Sequence, residues 1–313
     1  MSDYAVTKIG GEPLSAWEYR SIYLGDGTKY EMFYCPFCDI RLCDRLIYKD
    51  GELSKSPHFA AVWESHKFGC DGEPIAKEQH NTGSPKSHYI KRLMHVPEVL
   101  VARPAPRTVT VVPRLPEKSL LLGDVLERRR KAATAGMAQP KTYLLQPIVE
   151  ARNSVVSEGF DRAREKGWSD TDRKAWLKHE LSQLPLTLEQ KTNYDNGFRT
   201  PAYIDWNYRR IYHGIGQVTE LDGCYTVQCD TRADLKSSGD VAFIVLANMN
   251  ILFNGGAPRS HVALAKRLKE ISSNVIKVKW YAYGLPLISD GTCQLHVENL
   301  DYLYFKSDWQ KKN

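Results

Sequence analysis

The sequence lacks the marks of an exported or membrane-embedded protein. No uninterrupted apolar run in its 313 residues approaches the roughly 18–20 that a bilayer-spanning helix needs. The start, from Met1 to Ile9, has neither a basic n-region nor a following apolar h-region, so a cytoplasmic location without membrane attachment is expected. Familiar catalytic signatures are missing too: there is no Gly-x4-Gly-Lys-Ser/Thr loop, no His-Glu-x2-His and no Gly-x-Ser-x-Gly. A binding protein is therefore expected before an enzyme, although a nuclease built on dispersed carboxylates needs none of these strings. The seven cysteines are an odd number, which in a cytosolic chain argues against a disulfide framework and for metal binding or free thiols.

What is present points to an ordinary folded protein. Hydrophobic residues make up 42% and charged residues 26%, which excludes a collagen-like or largely disordered chain. At about 100–200 residues per domain the length implies two or three domains. Lys and Arg number 43 against 37 Asp and Glu, a net charge of +6 that is compatible with nucleic acid without being diagnostic of it.

Four cysteines, Cys35, Cys38, Cys43 and Cys70, are concentrated in one short stretch. Cys35-x2-Cys38 places two thiolates on one tight turn, where both reach a single ion at about 2.3 Å, and tetrahedral zinc needs a second pair. His66-x3-Cys70 supplies it, with Pro36 stiffening the first turn and Gly69 easing the second. The expected site is Cys35, Cys38, His66 and Cys70, holding a structural Zn2+. His58 competes for the histidine position, and Cys43 lies close enough to Cys38 to swing in.

The same stretch carries a resemblance. The Gly-containing turn at Ile9, Gly10, Gly11 and Glu12, the run Tyr34-Cys35-Pro36-Phe37-Cys38 and the run Pro57-His58-Phe59-Ala60 make residues 4–75 similar to the N-terminal zinc-ribbon region of CoiA-like competence proteins. The family's second histidine, expected just after His-Phe, is Ala61 here, which shifts the ligand role to His66. Proteins of that family typically continue into a nuclease-like domain, and no nuclease activity is carried over to this chain.

Further along, residues 97–117 read as an extended, proline-rich linker containing the strand-like run Thr108–Val112. Residues 118–200 read as a helical region. It starts with a helix over 119–131 that ends in four consecutive bases, and continues with helices over 144–160 and 170–181. Ser169 and Asp172 form a capping pair for the last of these, and Trp168, Trp176, Leu177, Leu181 and Leu184 form its apolar stripe. Tyr194, Phe198, Arg199 and Tyr203 are either a stacking surface or a plug between domains.

From residue 201 onward the pattern is strand, strand, strand, helix, strand, strand, with the last strand covering Gln294 to Phe305. That order is the order of an OB-fold, a five-stranded barrel with one helix between its third and fourth strands. The region resembles the single-strand-binding OB domains of replication proteins. Alternation along 276–283 puts Lys277, Lys279, Tyr281 and Tyr283 on one face, joining phosphate attraction to base stacking. Tyr225 and Phe243, on the second and third strands, are further candidates.

The expected architecture is therefore α+β and multidomain: a zinc-ribbon module over 1–96, a linker over 97–117, a helical middle over 118–200 and an OB-like barrel over 201–313. The expected function is binding of single-stranded DNA or RNA. The alternatives are a metal-dependent nuclease of the CoiA-like group and a protein-docking module, within a mobile-element or phage-defence system.

Overall fold

The computed structural model describes residues 4–11, 13–51, 53, 55–67, 70, 96–103, 140–221, 224–235, 239–248, 257–274 and 276–306. In the N-terminal part, strands β1 (Tyr4–Ala5) and β2 (Leu14–Ser15) pair antiparallel and lead into helix α1 (Ala16–Asp26). Ser15 accepts a hydrogen bond from the Glu18 backbone N–H, and the Glu18 carboxylate accepts one from that of Ser15, a reciprocal cap that fixes where the helix starts. Ser15→Ala is expected to cost about 1 kcal/mol, read as a lower denaturant midpoint at unchanged m-value. Strands β3 (Phe33–Tyr34), β4 (Arg41–Arg45) and β5 (His58–Ala60) form an antiparallel sheet against α1. Tyr19 of the helix, Phe33 and Phe59 fill the space between them, with Phe33 5.0 Å from each of the other two rings.

Residues 97–103 depart from the linker reading. Val99–Leu100 form β6, which pairs in parallel with β7 (Lys141–Thr142) and β8 (Pro185–Thr187), and β8 pairs antiparallel with β9 (Lys191–Asn193). The remainder of that linker and the helix expected over 119–131 lie outside the described residues. Helices α2 (Leu145–Lys166) and α3 (Asp170–Gln183) follow β7, with the Ser169–Asp172 capping pair in place. Trp176 and Leu177 press on α2 at Gly159, where an added Cβ would stand 2.8 Å from a Leu177 methyl, so the hairpin needs glycine there. The helical middle is thus a helical hairpin joined to a four-stranded sheet.

The C-terminal part overturns the barrel. Strands β10 (Phe198–Arg199), β11 (Arg210–Leu221) and β12 (Cys224–Cys229) are followed by a small ladder of β13 (Ala233–Asp234) and β14 (Asp240–Val241), then β15 (Phe243–Asn248). Helix α4 (Arg259–Ser273) precedes β16 (Lys277–Gly284), β17 (Leu287–Ser289), β18 (Thr292–Val297) and β19 (Leu303–Lys306). Eight of these strands make one mixed sheet in the order β17-β18-β15-β12-β11-β16-β19, with β10 parallel to the first part of β11. The sequence from Gln294 to Phe305 is two strands, because a 3₁₀ turn at Leu300–Tyr302, capped by the Asn299 side chain, breaks it. β18 pairs in parallel with β15, whereas β19 occupies the free edge of β16. That edge is the one a closed barrel would have needed, so the sheet stays open. The glycines of β11 answer to crowding: a Cβ on Gly216 would lie 2.5 Å from the Gln228 carbonyl oxygen.

The two faces of this sheet bury different cores. The inner face packs Tyr212, Val227, Phe243, Val245, Trp280 and Leu295 under Leu268 and Ile271 of α4. The outer face packs Ile211, Tyr281, Tyr283 and Tyr304 against Leu145, Ile148 and Val149 of α2. A boundary at residue 201 therefore passes through a shared core. Two ionic ties join the other parts. Arg20 of α1 pairs with Glu150 of α2, and Arg103 makes a forked contact to Asp301 at 2.7 and 2.8 Å while reaching Asp26. Burial works to raise the Asp301 carboxyl, but its bonds from Arg103 and His261 outweigh it and hold the group below its usual range.

Candidate metal centre and the open sheet face

Two turns build the metal centre. In the first, the Cys35 N–H donates to the Ile40 carbonyl and the Asp39 N–H returns to the Cys35 carbonyl, with Asp39 in the left-handed region at φ 61°. In the second, the Cys70 N–H donates to the Lys67 carbonyl. The ligand atoms of Cys35, Cys38, His66 and Cys70 all lie within 4.8 Å of one another. The Cys35 and Cys70 sulfurs are 3.6 Å apart, and His66 Nδ1 is 3.5 Å from the sulfurs of both Cys38 and Cys70. A tetrahedron with metal–sulfur bonds of about 2.3 Å and a metal–nitrogen bond of about 2.05 Å has edges of about 3.8 Å and 3.5 Å. The donor set thus has the spacing of a four-coordinate metal site, and these residues can hold a metal ion.

The surroundings act on the two thiols of the first turn in opposite directions. Burial pushes the Cys35 thiol well up, against backbone N–H groups of Phe37 and Cys38 that act to lower it. At Cys38 burial also raises, but the N–H groups of Lys67 and Ile40 prevail and the thiol lies below its ordinary value. The two rival ligands stand apart from the cluster. His58 is in β5 opposite Arg45, with its Nδ1 3.1 Å from the Ser56 carbonyl, and Cys43 is in β4 opposite Ala60. Gly69 lies outside the described residues.

The residues expected to touch nucleic acid divide into two groups. Tyr281 and Tyr283 share a face with Lys277 and Lys279, as alternation required, but α2 covers that half of the face and leaves Tyr281 fully buried and Tyr283 nearly so. Tyr225 and Phe243 are buried on the inner face, with the Tyr225 hydroxyl donating to Glu220. These four rings are core, out of reach of a base. The lysines are not: Lys277 is exposed and pairs with Asp230 at 2.9 Å, and Lys279 is half-buried. In the 193–203 loop, Tyr194 and Phe198 are the plug and Tyr203 is exposed.

The sequence reading missed Lys306, which lies directly opposite Lys279 on β19. Lys306 lies one residue beyond Phe305, where alternation ends the last expected strand. The registers put Ile215, Gln217, Thr219, Thr226, Gln228, Ile244, Leu246, Gln294 and His296 on the same face as the three lysines, beyond the edge of α2. None of these face positions in β11, β12, β15, β16, β18 and β19 is a carboxylate.

No protein-family model matches this sequence, and no curated protein matches it either. The resemblance of residues 4–75 to CoiA-like proteins rests on its motif alone. Among the described residues no helix is long and apolar enough to cross a membrane.

Proposed function

We propose that the four-ligand centre holds a structural zinc ion and that the chain is a non-enzymatic binding protein for single-stranded nucleic acid. Three thiolates and one imidazole are the soft donor set that suits zinc, and all four positions of a tetrahedron are taken by side chains, which leaves none for a reacting water. The observation that carries the nucleic-acid part is the open half of the large sheet's outer face. It presents Lys277, Lys279 and Lys306 among amides, hydroxyls and aliphatic side chains, with no carboxylate on the face itself. Asp230, at the end of β12, is the acid that reaches in, and its partner Lys277 is exposed enough to exchange it for phosphate.

Binding through lysines is driven by counterion release and is salt-dependent. A fluorescent single-stranded oligonucleotide titrated into the full-length protein at two salt concentrations tests this. The Lys277→Ala, Lys279→Ala double variant should bind more weakly, with the slope of log K against log salt shallower by roughly 0.7 for each lost phosphate contact. Wild-type protein that binds no single strand at low salt, or an unchanged slope in the double variant, overturns the reading.

A further inference from the structure

Three basic side chains converge where α2 meets the open half of the sheet. Arg152 of α2 lies over the Phe198 ring, its guanidinium carbon 4.7 Å from the centroid. His213 of β11 packs against that same ring at 6.3 Å and against the Tyr281 ring at 5.7 Å. Lys279 of β16 holds its ammonium 5.6 Å from the Tyr281 centroid. Phe198 therefore links Arg152 to His213, and Tyr281 links His213 to Lys279. All three basic residues keep part of their surface exposed.

One donor of Arg152 is unmet. The Nε of Arg152 is buried without a hydrogen-bond partner, and among the described residues no carboxylate forms an ion pair with this guanidinium. Asp195, in the connection from β9 to β10, is the carboxylate whose field reaches it. The other polar groups at hand are the Tyr281 hydroxyl, which donates to Asn153 Oδ1 at 3.4 Å, and Lys306 across the strand pair from Lys279. His213 is kept neutral: burial first, then the positive charges of Arg152 and Lys279, push it down to about 3. A buried N–H donor without an acceptor is costly, and an entering anion would relieve that cost.

We propose that Arg152, His213 and Lys279 form a binding site for a phosphate group, which on the nucleic-acid reading above is a backbone phosphate of the bound strand. The planar guanidinium offers paired N–H donors to two phosphate oxygens, and the ammonium and imidazole offer donors to the others. The phosphate charge opposes both cations, so His213 takes up a proton more readily once the site is filled. The site lies beside the lysine face, where it would fix the register of a strand that the exposed lysines only attract.

The experiment follows the His213 ring resonances of the full-length protein by NMR as inorganic phosphate is added, with chloride at matched ionic strength as control. Wild type should give a saturable phosphate response, with the His213 pKa rising. Arg152→Gln should weaken phosphate, and separately the single-stranded oligonucleotide, by about tenfold or more, the loss of one charge-assisted bond. Lys279→Gln, at a position with less buried contact, gives the same readout should Arg152→Gln fail to fold. Equal responses to phosphate and chloride, or unchanged phosphate affinity in a folded variant, overturn the site even where the oligonucleotide still binds. A saturable, Arg152-dependent phosphate response in a protein that binds no oligonucleotide upholds the site and refutes the nucleic-acid reading instead.

Discussion

Stripping the metal with a chelator is expected to unfold the N-terminal module while the large sheet keeps its structure. Structural zinc contributes about 10–16 kcal/mol of apparent binding free energy in small zinc peptides, more than a module of this size holds from its core alone. The module's core contains Cys35 and Cys38 themselves, alongside Tyr19, Phe33, Ile40, Leu42 and Phe59. Among the described residues 61–67 there is no helix or strand, so on the zinc reading the turn that carries His66 is closed by the metal. The large sheet has a separate inner core under α4, which the metal does not touch. Thermal unfolding of the full-length protein, followed by circular dichroism with and without chelator, should resolve a new low-temperature transition. Cys70→Ser should reproduce it. Identical melts with and without chelator would count against a structural role.

Arg20→Ala is expected to be the most damaging single change away from the metal, costing about 3–5 kcal/mol. Arg20 is completely buried, and its Nε and Nη2 donate to the two oxygens of Glu150 at 2.7 and 2.8 Å. The same guanidinium donates to the carbonyls of Lys49 and Gly51 at 2.9 Å, and to that of Ile47 at 3.3 Å. One side chain thus stitches α1, the 46–51 turn and α2. Its removal leaves several carbonyls without that donor and a buried carboxylate that keeps the neutral Gln146 amide but loses its charge partner, and the effect is mostly that of the orphaned Glu150 charge. Arg20→Lys should rescue little, because an ammonium cannot span the fork. Arg20→Met combined with Glu150→Leu should recover much of the loss, since an apolar pair leaves no charge stranded. Denaturant midpoints measure all three. A loss below 1 kcal/mol for Arg20→Ala contradicts this account of the tie.

The cluster of four donors that could hold a metal was legible in the sequence because turn-borne pairs are a local property: Cys-x2-Cys and His-x3-Cys need only short turns to aim their donors. The choice between His66 and His58 depended on β5, whose pairing with β4 holds His58 away from the cluster. Alternation likewise placed Lys277, Lys279, Tyr281 and Tyr283 on one face of β16. It said nothing of what lies on that face, and the burial of the tyrosines is the work of α2, more than a hundred residues earlier in the chain. The open sheet was hidden for a different reason. Residues 294–305 carry strand formers on either side of Glu298, Asn299 and Asp301, and the Asn299 cap, a side-chain event, divides them into partners of β15 and β16. Arg20 carried no signal at all, since one arginine in an aromatic-rich helix reads as a solvated residue until Glu150 is brought beside it.

The metal content of the purified full-length protein tests the central claim most directly, compared among wild type, His66→Ala and His58→Ala. The geometry of the four donors predicts one zinc per chain in wild type, its loss from His66→Ala, and its retention in His58→Ala. Wild-type protein free of metal, or zinc retained by His66→Ala and lost from His58→Ala, would contradict it.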